Sequence, residues 1–169
     1  GKFIKNISII IEDNLINYTD IGIKNKNYKK TISKKNLENT LVDAKDLFNK
    51  NFYNYKIMHI LLTSYFVDGN KYSSFKENLI GDHFCIELKF IYISKELSLE
   101  IEKILEKYQI SIKQYLDGKY IKDLFKDNYT TISELAFNAQ NRFNENEIIL
   151  IPKNKKKKGI FEKFFQLFS

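Results

Sequence analysis

Apolar residues recur with a period of two at Ile7, Ile9 and Ile11, so Lys5 to Glu12 is predicted as a β-branched strand. Ile16 to Ile23 is expected to pair with it through a turn at Asp13-Asn14, leaving Lys24 to Lys30 as a polar loop. The period then becomes helical. Ser33 can serve as N-cap, and Leu37, Leu41, Ala44, Leu47 and Phe48 fall within roughly 120° on a helix ending near Asn49. Val42 lies outside that stripe. Tyr55 to Val67 reads as an apolar strand closed by an Asp68-Gly69-Asn70 turn. His83 to Ile93 shows the cleanest alternation, with Phe84, Ile86, Leu88, Phe90 and Tyr92 on one face. Ser94 caps a second helix, with Glu96 at the positive end of its dipole. Its apolar stripe is Leu97, Ile101, Ile104, Leu105 and Tyr108. Ile110 to Leu116 is a further strand, closed by Asp117-Gly118. This order predicts an α+β fold over residues 1–125, a small, mostly antiparallel sheet with two packed helices.

Residues 126–152 read as a linker holding a short helical segment, Ile132 to Phe143, and a brief apolar run, Glu147 to Ile151. Residues 153–169 are of another kind. At about 100° per residue, Ile160, Phe161, Phe164, Phe165, Leu167 and Phe168 share one arc of roughly 160°. Glu162, Lys163 and Gln166 fill the other side. The lysine run Lys155, Lys156, Lys157 and Lys158 precedes this helix, set off by Gly159. An aromatic helix face beside clustered lysines has the composition of an in-plane anchor on an anionic leaflet. The ten residues of that run and that face are therefore the candidate membrane-binding site. Docking of the face on the chain's own body, or in a partner's groove, are the alternatives.

Charge sharpens this picture. The tail from Lys153 onward has six lysines and one glutamate, so it carries five of the seven net positive charges. The rest of the chain is left with two. A nucleic-acid-binding body would be expected to show a basic face across the fold. At 169 residues and 43% apolar, the chain can form one domain with appendages. No apolar run approaches the ~20 residues that span a bilayer. A single cysteine, Cys85, excludes a disulfide framework and a cysteine-rich metal site. The first residue is Gly rather than Met, so a segment is expected to have been cut from the N-terminus.

Candidate chemistry is sparse. His59 sits inside an apolar strand and is expected to be structural. His83 follows Asp82 without a third partner at metal-ligand spacing. Cys85 has no evident base. Glu100, Glu102 and Glu106 are interleaved with lysines on a helix, as on a solvated face. The six glycines are dispersed, so no loop cradles phosphate. The expectation is a chain that is not an enzyme, with no catalytic residue, no cofactor, no metal and no small-molecule substrate.

Residues from about Lys5 to Leu124 resemble the SHS2 domain (subdomain 1C) of the bacterial cell-division protein FtsA. The closest stretch is Ile57-Met58-His59-Ile60-Leu61, then Tyr65-Phe66-Val67-Asp68. It is similar to the family's apolar-apolar-His-apolar-apolar run followed by Tyr-x-apolar-Asp. Asn78 and Gly81 fall where the family has an Asn-Pro-x-Gly turn. Thr31 to Lys45, Phe90 to Ser94 and Ile110-Ser111-Ile112 follow in the family's order. FtsA proteins also end in a short amphipathic membrane helix. Two family prolines are replaced, one at Leu62 or Thr63 and one at Leu79. The actin-like ATPase halves are absent, so ATP binding, filament formation and FtsZ docking do not carry over.

What the resemblance implies is a membrane-tethered adaptor on the cytoplasmic face of the bacterial inner membrane. Its expected partners are anionic lipids, other cell-division proteins and further copies of itself, with no nucleic acid. One rival is a nucleic-acid-binding module that grips phosphate with the lysine-rich tail. The Phe face separates the two, because phosphate binding needs no aromatic stripe. A second rival is a small enzyme, which a deep pocket lined by charged residues with perturbed pKa values would favour.

Overall fold

A computed structural model describes residues 3–12, 14–72, 76, 78–125, 130–141, 144, 147 and 148. The fold is α+β. Its elements are β1 (Asn6–Ile11), β2 (Asn17–Thr31), α1 (Lys34–Asn51), β3 (Tyr55–Val67), β4 (Asn70–Tyr72), β5 (Ile80–Ser94), α2 (Lys95–Glu106), β6 (Ser111–Asp117), α3 (Gly118–Phe125) and α4 (Ile132–Asn141). One sheet has four strands in the order β2-β5-β3-β4 and is mostly antiparallel. A second has two strands, β1 and β6, which run parallel. The chain divides into two compact units. The first holds Gly1–Tyr18, Asn54–His59 and Ile91–Phe143, and the second Thr19–Tyr53, Ile60–Phe90 and Asn144–Ser169.

In the second unit, α1 starts as its sequence directs. The Ser33 side chain accepts from Asn36 N–H, and the Asn36 side chain accepts in return from Ser33 N–H, a reciprocal capping box. Leu37, Leu41, Ala44 and Phe48 are buried, whereas Leu47 joins Val42 on the exposed side. The Phe48 ring stacks on Phe90 of β5, with centroids 4.8 Å apart. Phe84, Ile86, Leu88 and Phe90 are all buried, so the alternation along β5 marks the core face correctly. Truncating Phe48 to Ala would cost about 3–5 kcal/mol by removing buried ring area and leaving a cavity.

The polar stretch from Lys24 to Lys30 belongs to β2 instead of forming a loop. Its polar residues mislead because every second one points to solvent, as an edge strand allows. Nor does β2 pair with β1 through the Asp13-Asn14 turn; its hydrogen-bonded neighbour is β5.

In the first unit, β1 is aligned with β6 from Asn6↔Ser111 to Ile11↔Asp117, with a bulge between Ile7 and Ser8. The Asp117-Gly118 step is not a turn but the junction at which β6 passes directly into α3. Leu116, Ile121, Leu135 and Ala136 form a small core there, with Ile10, Phe125 and Ile132 packed against it. On α2, Ser94 Oγ accepts from Leu97 N–H at 3.1 Å, as its capping role requires. The apolar stripe of α2 is only partly covered: Leu97, Ile101 and Leu105 are half-buried, while Ile104 and Tyr108 are exposed. Ser98 is its one buried residue, and it is held by polar partners. Tyr115 OH donates to Ser98 O at 3.1 Å, and Lys56 Nζ bridges Ser98 Oγ and Glu102 Oε1 at 3.2 and 2.7 Å.

Candidate functional site

The residues expected to meet a membrane, Lys155–Lys158, Ile160, Phe161, Phe164, Phe165, Leu167 and Phe168, lie outside the described residues. Among the described residues, no helix is long and apolar enough to cross a membrane. Of the apolar run ahead of the tail, the described residues Glu147 and Ile148 belong to the second unit. Glu147 bridges Leu61 in antiparallel fashion, and Ile148 N–H donates to Ile60 O at 2.8 Å along β3.

The second unit also holds Asp68, Asn78 and Gly81, three of the motif residues singled out in the sequence. After β3 the chain turns through Asp68 and Gly69, both left-handed at φ 47° and 85°. The Asp68 carboxylate then accepts from Asp82 N–H at 3.0 Å and His83 N–H at 2.8 Å, at the start of β5. These two backbone donors lower the Asp68 pKa, with smaller help from the His83 and Lys29 charges. Gly81 is required, because a Cβ there would collide with Val67 Cγ1 and press on the Asp68 carboxylate. Asn78 is likewise left-handed, at φ 64°. The next residue, Leu79, accepts from Ile32 N–H at 2.8 Å. The cluster fixes the register of three chain segments. It offers backbone and carboxylate groups that are already engaged.

In the first unit, a cavity of about 590 Å³ is lined by Glu12, Tyr18, Asp117, Lys119, Lys122 and Asp123, among others. Asp117 is buried at the end of β6, where its carboxylate accepts from Tyr18 OH and Lys119 N–H, both at 2.9 Å. Its own N–H donates to His59 Nε2 at 3.1 Å. His59 lies against the Tyr120 ring, 4.6 Å between centroids. Burial, then the hydrogen bond to Asp117, pushes the Tyr18 phenol up to about 12. At that value it is a poor acid or base near neutrality. Lys122 is ion-paired with Glu12. The arrangement ties the β6–α3 junction to β1 and the start of β2.

The other sequence candidates stay apart. His83 Nδ1 is 4.0 Å from Asp68 Oδ1 at the surface. Burial, then the Glu87 charge, raises the Cys85 thiol pKa, which disfavours the thiolate. Among the described residues, no group of three or more His, Cys, Asp and Glu side chains could hold a metal ion.

A further feature of the second unit lies inside the stretch expected as a polar loop. Near the end of β2, Tyr28 and Lys29 both have φ 53°, a left-handed turn of the backbone within the strand. Neither is a residue that tolerates this region well, and each costs about 1–2 kcal/mol there. The turn is held from inside. Asn27 is only 5% exposed, and its amide donates to Lys30 O and to Gly81 O, the latter at 3.1 Å. Tyr28 by contrast is 68% exposed, with Lys26 Nζ 5.3 Å from its ring centroid. A signal was present in the chain: between Asp20 and Glu38 there are six lysines and no carboxylate. Set against protein families and curated proteins, the chain matches none of them.

Proposed function

We propose that this protein is a membrane-tethered adaptor of the bacterial cell-division machinery, similar in its body to the SHS2 domain of FtsA. It works on the cytoplasmic face of the inner membrane without cofactor or catalysis. The observation that carries the membrane half is the complete segregation of the tail, with Ile160, Phe161, Phe164, Phe165, Leu167 and Phe168 on one face behind four consecutive lysines. The division half rests on the resemblance. One of its polar residues, Asp68, accepts from Asp82 and His83 N–H close beside Gly81 of the same motif set. Other division proteins and further copies of this chain are the partners of the body.

Magnitudes favour reversible attachment. Lys155 to Lys158 contribute about 1 kcal/mol each near an anionic surface. Each inserted Phe, Ile or Leu adds up to ~1.5–3 kcal/mol by area. Ordering about ten residues costs roughly 1 kcal/mol or more each, since so short a helix is unstable in water. Shallow burial at the interface reduces the apolar gain well below that ceiling, so the terms nearly cancel, and one copy comes and goes while clustered copies stay by avidity. Sedimentation of the full chain with anionic vesicles tests this: Phe164→Asp should abolish it, and salt should only weaken the wild type. Unchanged sedimentation of Phe164→Asp contradicts the anchor. For the division half, a fluorescent fusion of the full chain should collect at midcell in a dividing rod-shaped bacterium, and a uniform membrane signal contradicts it.

A further inference from the structure

The near-neutral charge of the body hides a separation. The six lysines between Asp20 and Glu38 exceed the two net charges left outside the tail, so the remaining residues sum to four negative charges. The basic stretch occupies one continuous piece of the second unit, the outer half of β2, its turn and the first turn of α1. Along β2, Lys24, Lys26 and Tyr28 are exposed, while Ile23, Asn25 and Asn27 are turned inward. Lys29, Lys30, Lys34 and Lys35 are exposed as well. The first turn of α1 has no acidic residue, so Lys34 and Lys35 add to the positive end of its dipole. Among these lysines stands Tyr28, an exposed aromatic ring with Lys26 beside it, on a strained left-handed stretch that buried Asn27 holds in place.

We infer that the turn at Tyr28–Lys29 is a second membrane contact of this chain, with Tyr28 seated at headgroup level and Lys24, Lys26, Lys29 and Lys30 reaching lipid phosphates. The inference rests on the tail being a membrane anchor, because the turn acts as its second point of attachment. Charge complementarity selects an anionic surface. The aromatic content selects lipid over nucleic acid: Tyr is an interfacial residue, whereas gripping a single strand calls for several exposed rings on which successive bases stack. Two weak contacts on one chain multiply, so each strengthens the other without any direct interaction. A rigid turn also orients the body, since a tail alone leaves it free to swivel.

The test is sedimentation of the full chain with vesicles of phosphatidylglycerol and phosphatidylcholine in equal parts. Each lysine is expected to contribute about fivefold, so Lys26→Gln, Lys29→Gln and Lys30→Gln together should weaken binding about a hundredfold. Tyr28→Gly should also weaken binding while raising the melting temperature, because Gly relieves the left-handed strain. That combination separates loss of contact from loss of fold. If the tip variants bind like wild type while Phe164→Asp abolishes sedimentation, the inference is wrong and the tail reading stands. If the tip variants lose binding but Phe164→Asp does not, the turn is the membrane contact and the tail reading fails. If the tip variants lose affinity for single-stranded RNA and none for vesicles, the turn is a nucleic-acid contact and the inference is overturned.

Discussion

Asp68–Gly69 and Tyr28–Lys29 in the second unit each place two successive residues in the left-handed region, and they do so by opposite means. At Asp68–Gly69 the residues suit the geometry, since Asp and Gly are among the few that adopt it readily. The Asp68 carboxylate completes the turn by accepting from two backbone amides of β5. At Tyr28–Lys29 the residues oppose the geometry, and the conformation is imposed by Asn27 from within. In the first turn the side chains explain the backbone. In the second the backbone is held despite the side chains, so Tyr28 and Lys29 are explained by what they present to solvent. Local rules are broken in folded proteins mostly where function compensates for them.

The comparison can be broken most sharply at Asn27. Asn27→Ala leaves Lys30 O and Gly81 O without their donor in a buried place and should cost about 3 kcal/mol, read from denaturant midpoints. A cost under about 0.5 kcal/mol would mean the turn holds itself, and the contrast would disappear. Gly81→Ala comes next, at about 1–3 kcal/mol, because its Cβ would force Val67 and Asp68 aside. Smaller still, and of opposite sign, are two exchanges at the turns themselves. Tyr28→Gly should stabilise by about 1 kcal/mol, and Gly69→Ala should destabilise by about as much.

The smallest effect is a pH dependence. The Asp68 pKa is lowered in the folded protein, so its contribution is present above the unfolded value of about 3.9 and fades as pH falls through the folded one. Acid titration of stability should therefore be shallower below about pH 4 in Asp68→Asn than in wild type. Equal slopes would show that the carboxylate is not coupled to the fold.

What the sequence made legible follows from what periodicity can encode. It marks which face of an element is buried, and the burial of Phe84, Ile86, Leu88 and Phe90 and of Leu37, Leu41, Ala44 and Phe48 bears this out. Ser33 and Ser94 were readable because capping is a local act between residues three apart. Pairing partners were not readable. Nothing in Asn6–Ile11 names Ser111–Asp117 as its neighbour, since a parallel partner lies a whole crossover away. Helix α3 was missed because Gly118 opens it and eight residues give too little period to register. The left-handed turn in β2 falls inside the loop expected at Lys24 to Lys30, but its position was not readable, because Tyr28 and Lys29 are poor turn formers and the tertiary bond from Asn27 to Gly81 O has no local signature. The tail pattern is the clearest in the chain, and its residues lie outside those described.

The central claim is that the aromatic face of the tail inserts into an anionic membrane, and the chain offers a direct reporter because it contains no tryptophan. Phe164→Trp places a single indole in the middle of that face. The account predicts solvent-exposed emission from the full chain in buffer, a blue shift on adding vesicles rich in phosphatidylglycerol, and little change with phosphatidylcholine alone. Emission that is already blue in buffer and indifferent to vesicles would show the face packed on protein, and would contradict the account.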